Sequence, residues 1–247
     1  MRVEVDNDFD LPVGARIIVA HAQAGFSRKV HDVVVGGGAW AAEGEGKIGN
    51  QLANRIGKSS LIHIDCEGTN GKTKSSNITE LGVGSILSLG TGVTTAFGGK
   101  KPSGTVAKTT ATVEDVMLLK GAVRADAVTA VAQERIYNGS KFRSTQGSSL
   151  VGVRVLGVLQ PVNVPPNTVV PLPFGRVILN QQIIPPAGSN APTEVKGIVV
   201  IITQANALNL PIGSRIVVAH AHARAHLFDE EPAGTTQQEL NMAETTN

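Results

Sequence analysis

The chain has 247 residues, 41% of them hydrophobic and 17% charged, with a formal net charge of +2. That length supplies one large domain or two small ones with ample core, and near-neutrality with scattered Lys and Arg excludes a field for nucleic acid or anionic lipid. Aromatic residues make up only 3%, so Val, Ile, Leu and Ala must fill the interior, which suits packed sheets.

A single cysteine, Cys66, excludes an internal disulfide framework. No run approaches the roughly 20 apolar residues of a membrane-spanning helix, and the opening MRVEVDNDFD lacks a charged-then-apolar export pattern.

In chain order, the periodicity predicts strands over residues 15–24, 29–44, 59–68, 105–119, 125–137, 149–159, 176–184, 196–208 and 214–226. Each is rich in Val, Ile, Thr or Ala, and most are bounded by Gly, Pro, Asn or Ser. The stretch TATVEDVMLLKGAVRADAV reads as two strands with a bend at Gly121 rather than as a helix. Short helical turns are expected over 50–56 and 80–89. The Pro-rich segments 160–175 and 183–194 read as connections or edges, because Pro removes a ladder donor. The polar, acidic tail 228–247 is expected to be disordered. The organisation predicted is an all-β antiparallel sandwich, jelly-roll-like, over 29–227, with an extra N-terminal strand segment, 1–28, ahead of it.

The strongest internal signal joins the two ends. Residues 11–24, LPVGARIIVAHAQA, match residues 210–223, LPIGSRIVVAHAHA, at ten of fourteen positions. Leu11, Arg16, Ile17, Val19 and His21 stand where Leu210, Arg215, Ile216, Val218 and His220 stand. One short repeat is not a solenoid; it says that the chain starts and finishes with nearly the same strand.

DCEGTNGKTKSS, residues 65–76, imitates a nucleotide-binding loop of the kind Mur-type ligases write as G-T-N-G-K-T. A working phosphate loop opens a helix, whose amides face the phosphates. Here Ser, Asn, Thr and Gly follow, and Cys66 occupies the first glycine's place. The expectation is a hairpin turn at Asn70-Gly71, with no nucleotide bound. Asn138-Gly139 reads as a second such turn. Asn77-Ile-Thr79 and Asn138-Gly-Ser140 are formal glycosylation sequons, of a kind that arises often by chance.

On a strand, His220 and His222 share one face, and His226 or His21 is a candidate third ligand for zinc or copper. Set against this, His simply faces solvent or a neighbouring chain while Ala faces a tight core, and Gln23 breaks the motif in the N-terminal copy. Asp6, Asp8 and Asp10 alternate as a calcium ion would want, without the rest of a known loop. No resident cofactor is expected; calcium and zinc are the ions these residues suggest. No nucleophile triad or aromatic stacking platform can be picked out.

From residue 103 to 223 the features fall in a familiar order: the run ATATVEDVMLL, the strand RADAVTAVA, the hairpin PPNTVVPLPFGRVILNQQ, then TEVKGIVVIIT and LPIGSRIVVAHAHA. This order resembles the bacterial choice-of-anchor P surface proteins. The resemblance implies an exported all-β domain without established enzymatic activity, and it supplies no catalytic residues. This chain departs from it by showing no export signal or anchor and by carrying the N-terminal copy of its last strand.

The function expected is therefore structural: an extracellular or cell-surface protein that adds its N-terminal strand to a neighbouring copy's sheet, forming a fibre or layer. Its partner is itself, with no nucleic acid, nucleotide or membrane insertion. Against this stand a sandwich that pairs both copies internally, a remnant of a tandem domain, and a monomeric adhesive or ligand-binding module using the Pro-rich loops. An enzyme is the remaining class, without a motif to carry it.

Overall fold

The computed structural model describes residues 33–45, 57–65, 68–162 and 164–227. The expected N-terminal strand, the helical turn at 50–56 and the acidic tail lie outside the described residues. Those described form two antiparallel sheets packed face to face, an all-β sandwich.

The six-stranded sheet contains β1 (Val33–Glu45), β2 (Ile62–Ile64), β13 (Thr168–Leu172), β14 (Gly175–Ile183), β15 (Thr193–Ile202) and β16 (Arg215–Leu227). Its order is β13-β14-β15-β16-β1-β2. The ten-stranded sheet is built on the long hairpin of β7 (Gly104–Leu118) and β8 (Val123–Tyr137). One flank of β7 takes β6 (Gly92–Lys101) and β5 (Leu87–Leu89), which pair on to β3 (Lys74–Ile78) and β4 (Leu81–Val83). The flank of β8 takes β9 (Ser140–Ser144), β10 (Ser149–Val151) and β11 (Arg154–Val155), with β12 (Val158–Leu159) outermost. Among the described residues the chain crosses between sheets twice, from β2 to β3 and from β12 to β13.

β-Branched and small residues explain the elements. Val, Thr and Ala recur along β7 and β8 and fit a pleated, half-buried surface. Between them Leu119, Lys120 and Gly121 all take positive φ, which turns the chain within a single 3₁₀ turn at the expected bend.

Two expectations change. Residues 80–89 form no helical turn; Leu81 and Val83 pair with Leu89 and Leu87 in a hairpin through Gly84. The apolar residues there alternate with period two, and Gly82 and Gly84 disfavour a helix. A strand the sequence reading left out, β6, carries glycines where the sheets come closest: a Cβ on Gly98 would run into Ile64 of the opposite sheet.

One row of residues bends the six-stranded sheet. Asn180, Gly197 and Ala219 lie side by side on β14, β15 and β16, and Asn180 and Ala219 have φ of 52° and 54°. A left-handed residue inside a strand breaks the period of two, so the inward set shifts by one there. On β15 it runs Val195, Gly197, then Ile198, Val200, Ile202; on β16 it runs Ala223, Ala221, Ala219, then Val218, Ile216. The opposing sheet does the same at Asp115, φ 52°, where Val113 is followed inward by Val116 and Leu118.

Candidate functional site

β16 is the strand that residues 11–24 duplicate, and it sits in the middle of its sheet. It pairs with β15 along one side, from Arg215 opposite Ile201 to Ala223 opposite Thr193. Along the other it pairs with β1, from Arg215 opposite Glu45 to Leu227 opposite Val33. Ile216, Val218, Ala219, Ala221, Ala223 and Ala225 point inward and are fully buried. Space beside the strand is short: a Cβ on Gly37 of β1 would meet the His222 carbonyl and Thr109 of the opposite sheet.

The duplicated motif covers a turn as well as a strand. Ser214 N–H donates to Pro211 O at 3.0 Å, and Gly213 has φ 88°. That is the geometry of a turn needing Gly at its third position. Leu210 is buried beside it, with its backbone N–H and C=O both held by the Asn206 side chain. Arg215 opens the strand and donates to Gln181 Oε1 at 3.2 Å. Leu11, Arg16, Ile17, Val19 and His21, like Asp6, Asp8 and Asp10, lie outside the described residues.

The outward face of β16 carries His220, His222 and His226 at alternate positions. His220 and His222 have ring centroids 5.8 Å apart, and Trp40 of β1 packs against both, at 3.9 Å and 5.6 Å. His220 Nε2 lies 2.6 Å from Glu194 Oε1, which Lys196 Nζ also approaches at 2.8 Å. Lys58 places its ammonium 4.1 Å from the Trp40 ring and 3.7 Å from Glu43. Burial pushes the His220 imidazole down to about 4, with Glu194 pulling the other way; His222 is lowered by the same cause. For Glu194, burial acts to raise the value, but His220 and Lys196 outweigh it and hold the carboxyl at about 2. His220 is thus a neutral, buried ring committed to Glu194 and Trp40. Among the described residues no group of three His, Cys, Asp or Glu side chains is arranged to hold a metal ion.

A second polar cluster, which the sequence reading missed, bridges the sheets. Glu134 of β8 points inward and is completely buried. Its Oε1 accepts from Thr193 N–H at 3.0 Å, Thr193 Oγ1 at 2.9 Å and Arg143 Nε at 3.1 Å; its Oε2 accepts from Ala225 N–H at 2.9 Å. Lys141 Nζ stands 3.9 Å away. Burial lowers the Lys141 ammonium, and Glu134 opposes that. The signal was present in parity: Glu134 falls in step with Ala130, Ala132 and Ile136, the buried positions of β8.

At the nucleotide-like motif, Asn70 and Gly71 take φ of 51° and 72°, and Lys72 N–H donates to Thr69 O at 3.0 Å. The turn is of the primed type, as expected, but it carries the chain from β2 in one sheet to β3 in the other rather than closing a hairpin. A strand, β3, begins at Lys74 where a phosphate loop would start its helix. Asn138 and Gly139, φ 48° and 72°, do close a hairpin, joining β8 to β9.

Compared with known proteins, the chain matches no family model, no curated protein and no solved structure. Its own geometry defines the class, an antiparallel β-sandwich protein whose last described strand is central and is written twice in the sequence.

Proposed function

We propose that this chain is a structural protein of the cell surface or extracellular space whose copies assemble into a fibre or layer by donating the N-terminal strand. The observation that carries the reading is the duplication of β16. A finished sandwich already holds β16 between two neighbours, so a second copy of its sequence has no vacancy in that slot. It needs an open sheet edge, and an edge of a neighbouring subunit serves.

The flank of β1 away from β16 fits that role. Among the described residues it is paired only with β2 at Gly37, Gly38 and Ala39 and with Ser59 at Ala42. The opposite edge, β13, is blunted by Pro171. Contacts from one subunit's terminus to another's edge do not close on themselves, so the product extends. The order of motifs shared with choice-of-anchor P surface proteins supports an exported location.

A second reading, a monomeric adhesive or ligand-binding module, is favoured by apolar exposure next to the Pro-rich connection. Val158, Leu159 and Val162 remain 64%, 56% and 84% exposed. Negative-stain electron microscopy of the full chain beside a version lacking residues 1–26 separates the two. Filaments from the full chain alone are expected; two monodisperse, folded samples would leave the adhesive module standing.

A further inference from the structure

The place of β16 has a defined register, and the N-terminal copy can be laid into it residue by residue. His220 lies opposite Trp40 on β1 and Lys196 on β15. In the same place His21 falls opposite Trp40, Arg16 opposite Glu45 and Ala24 opposite Gly37. Paired as far as Ala24 opposite Gly37, the copy would need only residues 25–36 to span the connection to β1. The copy is thus spaced to form a hairpin with β1 in the register β16 uses.

The identities between the copies cover the inward row. At the inward, fully buried positions Ile216, Val218, Ala219, Ala221 and Ala223, residues 17, 19, 20, 22 and 24 are identical. The differences fall at exposed Ile212, at buried Ser214 and Val217 and at half-buried His222, none of them in that inward row. Selecting only for an edge-adding strand would not require Ala20 where β16 bends with positive φ at Ala219.

The likeness ends where the fit would end. Phe26 corresponds to Ala225, whose side chain is fully buried and whose N–H is held by Glu134. A phenyl ring there overpacks the interior. The copy is therefore a shorter and weaker occupant than β16.

Distance along the chain favours the copy before it favours β16. Between Ala24 and Gly37 lie a dozen residues at most, whereas Glu45 and Arg215 are separated by nearly the whole domain. Short loops close at lower entropic cost and faster.

We propose that residues 11–24 are a place-holding strand, which pairs with β1 of its own chain in the register of β16 until β16 displaces it. It covers the β1 edge while the last strand is still to be made or has yet to dock, and open edges are where incomplete sheets aggregate. This does not rest on strand donation, although displacement leaves the segment free for it.

The test uses the full chain with single charges on inward positions. Val19→Asp is expected to leave the equilibrium urea midpoint unchanged while slowing refolding severalfold and lowering its yield. Val218→Asp, which expels β16, is expected to retain a cooperative unfolding transition that Val19→Asp/Val218→Asp loses. In the Val218→Asp background, cysteines at Arg16 and Glu45 should form a disulfide within the chain. Refolding of Val19→Asp at the wild-type rate would overturn the proposal, as would a Val218→Asp protein no better folded than the double variant. Filaments are scored separately: their loss in Val19→Asp with refolding unaffected removes the place-holder and keeps donation, and the opposite pattern does the reverse.

Discussion

Glu134 Oε2 accepts the backbone N–H of Ala225 at 2.9 Å across the interior of the sandwich, tying β8 in one sheet to β16 in the other. The same carboxylate serves Thr193 on β15 and is neutralised by Arg143, whose Nη2 goes on to Ser189 O at 2.6 Å. A buried charge is tolerable only when paired and fully hydrogen-bonded. Here it finds three donors from the opposing sheet and two cations, Arg143 and Lys141, from its own.

Glu134→Gln therefore exchanges an acceptor for an NH₂ group that must face a donor, and leaves Arg143 without its partner. The expected loss is about 3 kcal/mol, from the cost of breaking a buried charge pair. Urea unfolding should show a lower midpoint with an unchanged slope. A variant within about 0.5 kcal/mol of the parent, the range of ordinary surface substitutions, would mean that the cluster is not a tie between sheets.

Acid should weaken the sandwich in two overlapping stages. His220 has an ordinary value of 6.5 and a folded value of about 4, so the unfolded chain binds its proton first. The stability linked to it is complete above pH 6.5 and is lost as pH falls towards 4. Glu194, with an ordinary value of 4.5 and a folded value of about 2, adds a second loss below 4.5. Lys196 and His222 both add to the disfavouring of the His220 imidazolium. The His220 stage amounts to something on the order of 3 kcal/mol, each tenfold in proton affinity being worth 1.36 kcal/mol. Thermal melts from pH 7 to 4 should fall in the parent chain and fall less steeply in His220→Gln, where lowered His222 still contributes. Equal slopes would assign the loss to other groups.

The row through Gly197 offers a test of packing rather than charge. A Cβ on Gly197 would run into Val128 Cγ1 across the interface. Gly197→Ala should destabilise the fold by roughly 1–3 kcal/mol, the usual cost of overpacking. Val128→Ala alone should also destabilise, by opening a void. Together they should be less harmful than their sum, because each relieves the other's fault, and a double-mutant cycle measures that coupling. Simple additivity would place the strain of Gly197→Ala elsewhere, in the backbone.

Why so much of this was legible, and where legibility stopped, follows from range. The hairpins at Asn138-Gly139 and around Gly121 are local, since a dipeptide that needs positive φ announces its own turn. The ends of β7 and β8 fell within two residues of their expected places because β-branched content changes sharply there. By contrast, the β4–β5 hairpin is rich in Gly and Ser, which carry little strand propensity, and in β6 Gly98 serves close approach to Ile64 and Val35. Trp40 and Glu194 come from strands far apart in sequence, and only the register that sets both beside β16 brings them to His220. His220, His222 and His226 suggested a ligand set because alternation puts them on one face. Alternation cannot say that Glu194 already stands 2.6 Å from the first of them.

Trp40 makes that contact observable. It is the chain's one tryptophan, and its ring centroid lies 3.9 Å from that of His220. A protonated imidazole in contact with an indole quenches its fluorescence, whereas a neutral ring does so weakly. The emission of the folded chain should therefore drop with a midpoint near the His220 value of about 4. His220→Gln should remove that transition, while His222→Gln, whose ring is 5.6 Å away, should largely keep it. A midpoint near 6.5 would mean that His220 titrates as if in water. Its packing against Trp40 and Glu194 would then be looser than the geometry described for β16.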